Sequence, residues 1–252
     1  MPPNSYVISY HALRQLIGIL GIALPFLCWG TNAFVNHYDL LNDPLFVDAR
    51  YSQPYQAGVN LKASISHFYY TAAGPLFTGI LITVSIFLFC YKGHEQKPQD
   101  DRYAWLTDTR LAMLAACSAL GIVVFPTGSD QPITDNIHIF VSSTIAGALH
   151  LAFAALFFSA IAVLCLVNFR RKPGKAFIKN AEGTLYLICG WGMLACLAVL
   201  ALFGFTPLGA QPWVPYPLVY ILEAVMLVLF GTAWLVKGKS RPTEFVLNKI
   251  QK

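Results

Sequence analysis

The sequence predicts an all-α polytopic membrane protein: one domain over residues 1–252, a bundle of six transmembrane helices with both termini cytoplasmic. Three observations lead there. Of the 252 residues, 56% are hydrophobic and only 12% are charged, against about 25% charged in an average soluble domain. Six stretches are apolar over the roughly 20 residues that a helix needs to cross a bilayer. The basic residues divide unevenly between the two sides that those crossings define.

The expected spans cover about 16–34, 67–91, 109–126, 142–168, 183–205 and 216–236. The first follows a single Arg14, is long for a signal core and lacks an Ala-x-Ala exit, so it reads as a retained span. The second carries Gly74-Pro75, which predicts a kink about two turns in. The third is the shortest and stops at Phe125-Pro126. The fourth contains Ala146, Gly147 and Ala148, small residues that let a neighbouring helix approach. The sixth follows a Pro-rich loop in which Trp213 and Tyr216 serve as interface anchors.

With the N-terminus inside, the cytoplasmic segments hold Arg14, then Lys92, Lys97, Arg102 and Arg110. They also hold Arg170, Arg171, Lys172, Lys175 and Lys179, and finally Lys237, Lys239, Arg241, Lys249 and Lys252: 15 of the 17 Lys and Arg residues. The outer loops hold only Arg50 and Lys62. The net charge of +5 is therefore topological, and no nucleic-acid partner is expected. The six cysteines lie in apolar runs without a CxxC pair or metal-ligand spacing, and read as small apolar residues.

The polar residues at the outer side carry the functional question. In the stretch LKASISHFYYTAAGPLF, residues 61–77, Ser64, Ser66, His67, Tyr69, Tyr70 and Thr71 crowd the entrance of span two. On an α-helix His67, Tyr70 and Thr71 follow an i, i+3, i+4 pattern, with Gly74 continuing the face. They read either as an interfacial belt or as one wall of a binding site. Glu223 is the only acidic residue within the expected spans, where a bare carboxylate costs about 2.5–3.5 kcal/mol to insert. It is a protonated or partnered group, either interhelical glue or a functional carboxyl. His150 lies two to three turns into span four, as a satisfied packing histidine or a site residue. His138 is about 120° away from it around a helix and reads as a loop or rim residue. Three spans bring polar groups to one depth, so His67, Tyr70, His150 and Glu223 are expected to line one outward-opening cavity.

The pieces SISHFYYT, FLFCYKG, VFPTG, HLAFAALFF, KNAEGTLYLICGWGML and LEAVMLVLFGTAWLVKG run in order through spans two to six. In these the chain resembles a group of uncharacterised bacterial six-span membrane proteins. The resemblance implies a six-helix bundle in the bacterial cytoplasmic (inner) membrane and brings no activity with it. A second likeness is to the membrane hydrolase superfamily of alkaline ceramidases and adiponectin receptors, which use a Ser, an Asp and three His around zinc. Ser64, Ser66, His67, Asp130 and His150 are the matching residue types here. The paired His-x-x-x-His of that superfamily is missing, and six spans stand where seven are expected.

Two functions follow. One is a lipid-processing hydrolase opening to the outer leaflet, with His67, His150 and Glu223 as ligands of a zinc ion. In it Asp130 or Asp135 is the base and the Tyr70 hydroxyl steadies an oxyanion, and a metal-free variant makes His150 the general base. The other is a non-enzymatic transporter, or a protein that binds a lipid or small solute, suggested by the Gly-Pro interruption and the buried Glu. Membrane lipid is the expected partner in both. The cytoplasmic halves of the spans read as nearly free of polar groups.

Overall fold

The computed structural model describes residues 10–38, 60–93, 105–128, 144–171, 180–211 and 216–240, together with 243, 245 and 247. The regular elements among these residues are all helical, with no strand among them. The long elements are α1 (Tyr10–His37), α2 (Gly74–Phe89), α3 (Asp108–Val124), α4 (Thr144–Val163), α5 (Ala181–Phe205) and α6 (Leu218–Lys237). A π-helical turn, Leu164–Asn168, extends α4, and short 3-10 helices precede α2 (Ile65–Tyr70) and follow α5 (Pro207–Ala210).

Four of these helices are long and apolar enough to cross a membrane: α1, α4 with its π turn, α5 and α6. Helix α2 is equally apolar but has 16 residues, about 24 Å of helix against a hydrocarbon core of about 30 Å. Helix α3 has 17 residues and begins on a Thr107 cap, whose hydroxyl accepts from the Arg110 N–H at 3.2 Å.

The helices pack through small residues, as expected where lipid removes the hydrophobic drive for helix association. Helix α1 lies along α6, with Gly18 facing Gly231 so closely that a Cβ on Gly18 would sit 2.7 Å from the Gly231 carbonyl oxygen. Helix α3 runs between α2 and α4 and buries Ala112, Ala115, Ala116 and Ala119 completely. Trp234 is fully buried, with the rings of Tyr91 and Phe169 edge-on at 4.8 and 5.4 Å.

The start of the second run departs from expectation. A 3-10 helix occupies Ile65–Tyr70, the chain is extended at Thr71, and α2 begins only at Gly74. Gly74-Pro75 is therefore a helix start and not a kink. Proline lacks only an N–H that the first turn leaves unpaired anyway. Gly74 is required because a Cβ there would meet the Tyr69 carbonyl oxygen at 2.6 Å. The α-helical face of His67, Tyr70, Thr71 and Gly74 does not form, since 3-10 geometry advances three residues per turn and then breaks.

Candidate functional site

The polar residues of the spans converge on the segment 60–71. From α1, Asn32 Nδ2 donates to the Asn60 carbonyl at 3.0 Å. From the entrance of α6, the Tyr216 hydroxyl donates to the Leu61 carbonyl at 3.0 Å. Helix α6 has no side-chain cap, and its Tyr220 N–H donates instead to the Ala63 carbonyl at 3.0 Å. The favour is returned two residues later, where Glu223 Oε2 accepts the Ile65 N–H at 2.6 Å. Ser64, at the N-cap position of the 3-10 helix, does not cap it. Its hydroxyl is hydrogen-bonded to His67 Nδ1 at 2.5 Å. Glu223 thus supplies the missing cap from another helix, and the two helix starts satisfy each other's unpaired groups.

His150 reaches the same segment from α4. Its Nδ1 lies 2.8 Å from the Phe125 carbonyl and 3.1 Å from the Ile122 carbonyl. Ile122 would normally accept from the residue four ahead, but that residue is Pro126, which has no N–H. The imidazole fills the vacancy. Facing two acceptors, Nδ1 carries the proton, which in the neutral ring leaves Nε2 as an acceptor. Ser66 Oγ, 2.8 Å from Nε2, donates to it. His150 is 2% exposed and Ser66 9%. The result is a serine hydroxyl bonded to an imidazole whose far side is fixed by backbone carbonyls, the local geometry of a nucleophile and its base.

The other residues singled out from sequence sort as follows. The Tyr70 hydroxyl donates to the Thr127 carbonyl at 2.5 Å, so it ties the segment to the turn after α3 and does not serve as a free oxyanion donor. His67 bonds back to Ser64. Asp130, Asp135 and His138 lie outside the described residues. The zinc set of His67, His150 and Glu223 is not assembled. Among the described residues no group of three His, Cys, Asp or Glu is placed to hold a metal ion. The three side chains engage three different points of the segment: His67 at Ser64, Glu223 at Ile65 and His150 at Ser66. What they share is the backbone of the 60–71 segment.

A second polar network escaped the sequence reading. Asp108, 7% exposed, accepts from Asn168 Nδ2 at 2.7 Å and from the Tyr91 hydroxyl at 3.2 Å. Asn168 also donates to the Leu106 carbonyl at 2.9 Å. The π turn swings Asn168 into this position at the end of α4. The Arg14 guanidinium lies 5.5 Å over the Tyr91 ring and donates to the Lys237 carbonyl at 3.3 Å. The ends of α1, α2, α4 and α6 are therefore tied to the start of α3, opposite the 60–71 segment. The available signal was Thr107-Asp108, a cap followed by an acidic first-turn residue.

No protein-family model matches the chain, and neither does any curated protein or solved structure.

Proposed function

We propose that the chain is a six-span protein of the bacterial cytoplasmic membrane, with both termini cytoplasmic, that cleaves a lipid ester or amide without a metal. Ser66 is the nucleophile and His150 the general base. The observation that carries this reading is the 2.8 Å hydrogen bond from Ser66 Oγ to His150 Nε2, with Nδ1 held by the Phe125 and Ile122 carbonyls. The oriented ring takes the proton as Ser66 Oγ attacks the acyl carbon, and hands it to the departing alcohol or amine when the C–O or C–N bond breaks. Water then attacks the acyl-serine, loses its proton to the same Nε2, and the fatty acid leaves as Ser66 recovers its hydrogen. Glu223 is a positioning residue here, because it fixes the backbone one residue before Ser66.

The six-span architecture is supported by the six long helices and by the 15-to-2 division of basic residues. A reporter fused after Lys252 should behave as cytoplasmic and one inserted near Asp135 as external; the opposite pattern would invert the site. The chemistry is tested with a fluorophosphonate probe on protein in lipid nanodiscs. Labelling should map to Ser66, vanish in Ser66→Ala and fall at least tenfold in His150→Gln. A folded Ser66→Ala protein that labels like the parent removes the hydrolase.

The second reading is a lipid-binding protein without catalysis. It is favoured by the way Glu223 and His150 both end on the 60–71 segment while Tyr70 of that segment is tied to the Thr127 carbonyl, as a scaffold for a fixed surface also requires. Absence of Ser66 labelling in folded parent protein, with Ser66→Ala altering stability alone, is its expected signature.

A further inference from the structure

We propose that the cleft between the end of α5 and the start of α6 holds a single acyl chain of a bilayer lipid. This rests on the reading of a membrane-embedded chain and not on the chemistry of Ser66. The two helices approach closely at mid-length, where a Cβ on Gly192 would sit 2.7 Å from Leu229. They part toward the 60–71 segment and leave a cavity of about 290 Å³ lined by Leu200, Phe203, Gly204, Leu218, Val219 and Ala63. Gly204 opens onto free space, with nothing within 4 Å of a Cβ built there.

The lining selects the occupant. Among the described residues it contains no charged side chain, and the one phenol among them, Tyr216, is engaged with the Leu61 carbonyl. A phosphate headgroup or an ion would find no partner in it. A peptide segment would carry backbone groups in with nothing to satisfy them. The volume is at the low end of ligand sites, which start at roughly 300 Å³, so it suits one chain or a small ring and not a whole lipid. The surroundings are apolar and open: Val219 of the lining is 40% exposed, and Phe205, next in the chain to Gly204, is 83% exposed. Both belong to helices apolar enough to cross a membrane, so the cleft opens onto hydrocarbon. Ala63, in its wall, lies three residues before Ser66, which puts a bound chain beside the 60–71 segment.

The test uses full-length protein in proteoliposomes containing phosphatidylglycerol with a mid-chain diazirine, and in parallel a diazirine fatty acid. Cross-linked peptides are mapped by mass spectrometry. Labelling at residues 200–204 and 217–219 should exceed labelling around Trp191, a lipid-facing position on α5 that is 62% exposed. It should saturate and be competed by unlabelled phosphatidylglycerol. Gly204→Trp fills the cleft and should lower cleft labelling at least fivefold while leaving the Trp191 region unchanged. Val219→Trp serves the same purpose if Gly204→Trp fails to fold. Cleft labelling equal to that at Trp191 and unmoved by either Trp would mean annular lipid only and overturn the proposal. Labelling by the fatty acid with none by the phospholipid would overturn the bilayer-lipid assignment. In Ser66→Ala, cleft labelling should persist. Loss of fluorophosphonate reactivity in the parent with cleft labelling intact would sink the hydrolase reading alone.

Discussion

Removing the acceptor at Glu223 exposes the dependence of the 60–71 segment on a cap from another helix. Glu223→Leu keeps most of the volume and deletes the oxygen 2.6 Å from the Ile65 N–H. Ile65 is 2% exposed, so water does not replace it. Ser64 cannot replace it either without giving up His67. A buried donor left unpaired costs about 1–3 kcal/mol. With about 2–4 °C of Tm per kcal/mol in a chain of this size, a loss near 2 kcal/mol lowers Tm by about 4–8 °C. Glu223→Gln retains a carbonyl oxygen in the same place and exchanges one membrane hydrogen bond for another, a class averaging about 0.6 kcal/mol, so its Tm should stay within about 2 °C of the parent. Thermal melts followed by size-exclusion fluorescence in one detergent measure both variants. A Leu variant as stable as the parent would remove the capping role. A Gln variant as damaged as Leu would show that the charge or proton of Glu223 matters and not its acceptor.

Four further outcomes follow from the same geometry. Pro126→Ala gives Ile122 a backbone donor that competes with His150; Ser66 labelling should drop several-fold with Tm shifted by no more than about 1 kcal/mol equivalent, and unchanged labelling would free His150 of that dependence. Asp108→Leu strands the Tyr91 hydroxyl and one of the two N–H groups of Asn168 Nδ2, the other staying on the Leu106 carbonyl, and should cost about 2–4 kcal/mol in chemical denaturation, with Asp108→Asn milder; equal stabilities would deny the network any structural role. Gly18→Val forces α1 off α6 and should lower Tm clearly, whereas Gly30→Ala, with open space around its Cβ, should not; the reverse order would contradict the helix seam. Burial pushes the Lys62 ammonium down to about 8 from 10.5. Between those values the unfolded chain holds the proton and the fold does not, so stability rises with pH there and is flat below about 8; the Tm of the parent should therefore rise relative to that of Lys62→Met as pH goes from 8 toward 10.5, and a constant difference would exclude titration of Lys62.

Much of the architecture was legible in composition and pattern. Six apolar runs became six helices whose ends fall within six residues or fewer of the expected spans, apart from the start of the second. Hydrophobic length is a local property, and backbone groups in an apolar setting must pair within their own helix. His150 and Glu223 were also legible, because a polar atom in an apolar run needs a partner wherever the chain goes. The partners were not. Whether ISHFYY forms an α or a 3-10 turn is decided by Glu223, Tyr220, Tyr216 and Asn32 on other helices, which periodicity within the stretch does not report. The three presumed zinc ligands have the right types, but ligation needs three donors at one point in space, and each is consumed by a nearer acceptor or donor. Asp108 lies one residue outside the third apolar run, and it is buried by the packing of Tyr91 and of Asn168 on the π turn against the start of α3. The sequence by itself determined an apolar, all-helical chain and the polar residues that had to be satisfied within it. Tertiary structure alone decided which group satisfies which, because those bonds join residues from 25 to more than 150 positions apart, and only the assembled bundle brings them within 3 Å.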